Sequence, residues 1–268
     1  MSRTALLAAA LVTASVTASG AVAATAPTRT AGELAVALSL PAPGFQVGSV
    51  RGARVVYARG LEVDVARVLA RRLGLARVRL IQVRDTTRLL AGGAKRWDVS
   101  LAQLVPVQKA RAVAFSVPYL PAGQAVLAAR GVPRPRGLTA LRRLVVCAVR
   151  RTPGAAFLAQ RLGTSRRLVA RDLGELLRWT QTGRCEAAVA DLPTLAARLR
   201  GSGGRYGRVV GAIDTGDAFA VALPAGSPLL ADVNRALTRL RRDGTLRRIA
   251  LRWLAFDPAR LRVLARAR

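Results

Sequence analysis

Asp191 ends Ala187-Ala188-Val189-Ala190, an apolar run that reads as a strand, and Pro193 follows where a helix would begin. A carboxylate at the carboxyl edge of a parallel sheet can take a ligand ammonium. It can equally cap the helix behind it, and the spacing suits both. Thr152-Pro153-Gly154 repeats the arrangement after the strand-like run from Leu144 to Val149. Proline fits the first helical position and leaves Thr152 as the N-cap. The free N–H groups of such a helix start form a cradle for a carboxylate; a plain cap is the competing reading. Lys109 and Arg111 stand just before the strand that reaches Phe115. Either can hold a carboxylate, lysine as a point charge and arginine as a planar fork, or remain a solvated surface charge. Phe45, alone in a loop rich in proline and glycine, can lie flat on a ligand side chain or belong to the core.

Other chemistry is excluded. There is no histidine, so Ser-His and Cys-His nucleophile pairs and the commonest metal ligand are absent. Two cysteines, Cys147 and Cys185, cannot make a cysteine-only zinc site. Neither a metal nor a cofactor is expected. In an exported chain the two suggest one disulfide. Cys147 lies five positions before Thr152 and Cys185 six before Asp191, so on neighbouring strands both sulfurs sit at a similar height below that edge.

The elements that would position these residues alternate. Leu34 to Leu40 reads as a strand, Pro41 to Gly52 as a loop, and Val55 to Tyr57 as a short strand. A helix opens at Gly60-Leu61-Glu62-Val63-Asp64 with Leu61, Val65, Val68, Leu69 and Leu73 on one face, and Gly74 suits its C′ position. Val78 to Val83 and Trp97 to Ala102 are strands around a short helix. The logic repeats from Leu144: strand, helix to Leu162, strand Arg167 to Ala170, helix capped by Asp172, strand Glu186 to Ala190, helix. Val113 to Tyr119 is a strand that turns at Pro121 and Gly123 into a second, Ala125 to Ala129. Ala218 to Leu223 is the candidate return. Two α/β lobes, each a mostly parallel sheet flanked by helices and joined by two crossing strands, follow from this order. Residues 27–121 and 220–268 are assigned to lobe 1 and residues 122–219 to lobe 2.

Residues 1–26 read as an export signal: Arg3, an apolar stretch from Ala5 to Val16, and the small-x-small site Ala21-Val22-Ala23. No cysteine stands near that site to carry a lipid, so a secreted, periplasmic or cell-envelope location without a lipid anchor is expected. No later apolar run approaches the roughly 20 residues of a membrane helix. Lys+Arg number 44 against Asp+Glu 14, a net +30, and only Lys95 and Lys109 are lysines. The charges are scattered and aromatics are 4%, too few for base-stacking platforms, so nucleic acid is not the expected partner. The field still attracts anions and acidic envelope polymers.

An ordered set of motifs resembles the extracellular solute-binding proteins, family 3. It runs through Gly32-Glu33-Leu34-Ala35-Val36-Ala37, Gly60-Leu61-Glu62-Val63-Asp64, Trp97-Asp98-Val99-Ser100 and Phe115-Ser116-Val117-Pro118-Tyr119. It ends with Thr182-Gly183-Arg184-Cys185-Glu186, Ala187 to Asp191, and Asp243-Gly244-Thr245-Leu246 ahead of Trp253. The resemblance implies a periplasmic-binding-protein-like (type II) fold, a clamp that closes over an amino-acid-like solute for an ABC importer. The protein would be a monomer without catalysis, and the importer's permease its partner. It implies that Asp191 receives the α-amino group, Thr152 lies near the α-carboxylate, Phe45 covers the side chain, and Gln103 sits in a ligand-touching loop. The family's carboxylate-gripping arginine falls at Lys109 here, with Arg111 the substitute if the register slips. Two other functions compete: an exported dehydratase-like enzyme on the same fold, and a clamp with an altered or lost site that binds anions or cell-wall polymers.

Overall fold

The structure is a computed structural model that describes residues 26–52 and 54–266. The expected leader, apart from Ala26, lies outside the described residues. Along the chain run β1 (Glu33–Leu38), β2 (Val47–Arg51), β3 (Arg54–Arg59), α1 (Leu61–Arg72), β4 (Arg77–Gln82), α2 (Thr87–Leu90) and β5 (Val99–Ser100). Next come β6 (Val113–Pro121), β7 (Gln124–Ala128), α3 (Leu138–Arg142), β8 (Val146–Val149) and α4 (Pro153–Phe157), which continues as a π-helical turn, Leu158–Leu162. Then follow β9 (Arg167–Ala170), α5 (Leu173–Gln181), β10 (Ala187–Asp191), α6 (Leu192–Leu199), β11 (Arg208–Asp214), β12 (Ala218–Pro224), α7 (Leu230–Arg242), α8 (Thr245–Trp253) and β13 (Val263–Arg266).

The strands form two sheets, β2-β3-β4-β1-β5-β12-β6 and β13-β11-β7-β10-β8-β9. In lobe 1 β1 runs parallel to β4 and β5, as the strand–helix alternation requires. In lobe 2 β8 lies parallel to both β9 and β10. The crossing strands form an antiparallel pair in each sheet, β12 and β6 at one end of the first and β11 and β7 inside the second. β6 passes through Ala122-Gly123 into β7, and β11 returns through residues 215–217 into β12. The crossings pack closely: a Cβ on Gly123 would come within 2.6 Å of the Ile213 carbonyl oxygen.

Burial follows the pattern of the sequence. Leu61, Val65, Leu69 and Leu73 of α1 enter a core with β1, β12 and the buried face of α7. Gly74 takes φ +72 after the helix end, where a left-handed residue is needed. In lobe 2 one sheet face packs on α5 and α6, and the other on α4 and its continuation. Cys147 and Cys185 are joined, with a Cα–Cα distance of 6.0 Å, inside the first of these layers.

Two expectations differ from what is observed. The stretch Pro41 to Gly52, read as loop, contains β2, which pairs antiparallel with β3 as a hairpin. Its residues are mostly exposed, so burial gave it no apolar signature. The C-terminal residues, assigned to lobe 1, extend lobe 2 instead: β13 pairs parallel with β11, and Leu264 and Ala265 pack on the core beside Ile213.

Candidate functional site

The second sheet brings Thr152 and Asp191 to one edge. β8 and β10 are parallel neighbours, with Ala148 opposite Val189, so the residues after both strands emerge side by side. Thr152 is the N-cap of α4: its Oγ1 accepts from Ala155 N at 3.3 Å and donates to the Val149 carbonyl at 2.5 Å. Asp191 is the N-cap of α6, its Oδ1 accepting from Thr194 N at 2.9 Å. The caps read from sequence are therefore formed. Neither excludes a ligand, because a carboxylate has lone pairs beyond one cap bond. Burial pushes the Asp191 carboxyl above the ordinary aspartate value, and the hydrogen bonds from Thr194 pull it partly back.

A cavity of about 550 Å³ opens between the lobes; neither Thr152 nor Asp191 is on its wall, and the link to them is Thr194. Phe45 and Gln103 line it from lobe 1. Thr194, whose N–H holds Asp191, lines it from lobe 2 together with Asp172, Ala197 and Arg198. Phe45 is only 1% exposed, edge-on to Phe219 at 6.0 Å, so most of the ring is core. The lobes already touch beside it: Gly44 packs on Ala197, and Ala255 N donates to the Ala196 carbonyl at 3.0 Å.

Lys109 and Arg111 are not brought into this group. They stand exposed in the turn before β6, where Arg111 N donates to the Lys109 carbonyl at 2.9 Å. Among the described residues neither side chain forms a hydrogen bond or ion pair. They precede the end of β6 that pairs with Pro224, remote from the crossing, where Pro121 pairs with Ala218.

The backbone at two positions of the site has no clear sequence signal. Gln103 and Arg151 are the non-glycine residues with positive φ among those described, at 53° and 58°. One lies on the cavity wall and the other immediately precedes Thr152. Such backbone costs about 1–2 kcal/mol per residue and collects at functional sites. Gln103 is held by a buried network. Its N–H donates to Glu62 Oε1 at 2.7 Å, the Tyr119 hydroxyl donates to the same oxygen, and Gln46 Nε2 donates to Glu62 Oε2 and, at 2.6 Å, to the Leu101 carbonyl. Glu62 is fully buried, which raises its pKa, while its three donors lower it again. The Tyr119 hydroxyl is pushed well up by burial and by the neighbouring carboxylate. Asp98, by contrast, is spent on structure: its oxygens accept from Arg29 N and Ala35 N.

The model of the bacterial extracellular solute-binding proteins, family 3, matches residues 48–256. No curated protein matches the chain. Among solved structures, the L-cystine solute receptor of Neisseria gonorrhoeae in the unliganded open conformation superposes with a TM-score of 0.73 at 17% identity, over 84% of this chain and 94% of that one. An ancestral cationic amino acid solute-binding protein gives 0.66 at 22%, over 83% and 95%. An ancestral cyclohexadienyl dehydratase gives 0.64 at 20%, over 83% and 92%. At these identities the likeness establishes a shared two-lobed fold and nothing finer.

Proposed function

The chain belongs to the bacterial extracellular solute-binding proteins, family 3, and on that premise we propose that it captures an amino-acid-like solute outside the membrane and presents it to an ABC importer. The observation that carries this reading is the pairing of a partly buried carboxylate, Asp191, with Thr152 at a sheet edge beside a cavity that both lobes line. Asp191 takes the α-ammonium, Thr152 and the turn after it lie against the α-carboxylate, and Phe45 with Gln103 bounds the side chain from lobe 1. Lys109 and Arg111, remote from the crossing, are left outside the proposed site. Closure about the two crossings is the signal a permease would read. Among the described residues no helix is long and apolar enough to cross a membrane. Export through the leader in residues 1–26 completes the proposal.

The role is binding rather than turnover, and the protein acts as a monomer. Isothermal titration against the twenty L-amino acids tests it. At least one is expected to bind with measurable heat, and Asp191→Asn to weaken that binding at least tenfold. Asparagine caps a helix as well as aspartate, so the ligand-free variant should melt within about a degree or two of the parent. Absence of heat with every member of the panel refutes the reading. Turnover of a prephenate-like acid, lost in Lys109→Ala, would move the protein to the enzymes.

A further inference from the structure

Gln124 opens β7 directly after the crossing and is 3% exposed. Its Oε1 is the buried side-chain polar atom without a hydrogen-bond partner among the described residues. Buried acceptors are nearly always satisfied, and an unmet one invites a partner that arrives later. Its surroundings say where that partner would sit. In the antiparallel β7–β10 pair Gln124 stands directly opposite Asp191. Opposite residues share a sheet face with Cβ atoms about 4.5–5.5 Å apart. The face is the one covered by α4, and there Gln124 meets Gly154: a Cβ on Gly154 would lie 3.0 Å from Oε1. Any larger residue at 154 would press on the amide. Oε1 therefore lies against the first turn of α4, and its residue stands across the β7–β10 pair from Asp191.

We infer that Gln124 is a ligand-contacting residue of this site, supplying a second acceptor beside Asp191 for a nitrogen-centred, multi-donor headgroup such as an ammonium or guanidinium. The inference rests on the solute-binding reading. An ammonium carries three N–H donors and a guanidinium five. One carboxylate already engaged by Thr194 cannot meet them all, and a neutral amide adds an acceptor without adding charge. The arrangement favours solutes that are rich in donors where they meet lobe 2. In the ligand-free protein the acceptor stays unmet, a cost to stability that is recovered on binding.

Two variants test this, each by ligand-free melting and by titration with L-arginine, L-lysine, L-glutamine and L-alanine. Gln124→Met keeps the volume and removes the acceptor. It is expected to melt as high as the parent or higher, and to bind whichever amino acid the parent binds about tenfold to a hundredfold more weakly. Gln124→Glu keeps an acceptor at both positions and is expected to retain binding. Loss of binding in Gln124→Glu, or parental affinity in Gln124→Met, overturns the inference. If the parent binds no amino acid, the solute-binding reading fails separately and the melting decides here. A Gln124→Met variant that melts lower shows the amide to be structural and overturns the inference. One that melts as high or higher upholds the unmet acceptor.

Discussion

Replacing Glu62 should separate the buried network from ordinary core packing. Three donors converge on this carboxylate: Gln103 N, the Tyr119 hydroxyl and Gln46 Nε2. Gln46 cannot turn its amide around, because its Oε1 accepts from Ser39 N at 2.7 Å while Nε2 also serves the Leu101 carbonyl. Glu62→Gln therefore leaves at least one buried donor unmet, at about 1–3 kcal/mol. Glu62→Leu leaves Gln103 N and the Tyr119 hydroxyl unmet and frees one N–H of Gln46, so it should cost more than Glu62→Gln, at about 1–3 kcal/mol per unmet donor. The pH dependence has a definite sign. Burial raises the folded pKa of Glu62 above its unfolded value. Between those two values the folded state holds a proton that the unfolded state has released, so stability falls as pH rises through that window. Glutamine does not titrate, so the gap between parent and Glu62→Gln should narrow with rising pH. Urea unfolding from pH 4 to pH 8 reads this directly. A gap that widens with pH, or a Glu62→Leu variant as stable as the parent, refutes the network's role.

Removing the disulfide by Cys147→Ala with Cys185→Ala closes no loop across 38 residues and should cost about 4 kcal/mol, visible as a lower urea midpoint. Gly60 has φ +139, and a Cβ there would lie 2.0 Å from the Phe45 carbonyl oxygen, so Gly60→Ala should lose more than about 2 kcal/mol in the same assay. Arg151→Gly relieves a left-handed arginine and is expected to gain up to about 1 kcal/mol; a loss larger than that would mean the arginine side chain is what holds the turn.

Much of the frame was legible because it rests on period and punctuation. The face of α1, the left-handed Gly74, and the caps Thr152, Asp172 and Asp191 each follow from residue type at a fixed offset. The disulfide was legible from two cysteines in an exported chain, although Cys185 sits just before β10 and the register sets Cys147 opposite Ala188 rather than level with Cys185. β2 was not, since it is largely exposed and carries no apolar alternation, although its partner β3 was read as a short strand at Val55 to Tyr57. Glu62 looked like a polar position in the first turn of a helix; its burial comes from β6 and the segment after β5 closing over it, which is tertiary. Gln103 and Arg151 are types that rarely adopt positive φ, so no local rule marks them. Gln124 reads as an ordinary strand residue until the register sets it against Asp191 and Gly154.

Small-angle X-ray scattering of the purified chain, alone and saturated with the amino acid that gives the largest titration heat, addresses the clamp itself. The account predicts a smaller radius of gyration in the complex, and no such change for Asp191→Asn at the same solute concentration. Identical profiles with and without a solute that demonstrably binds would contradict closure about the two crossings.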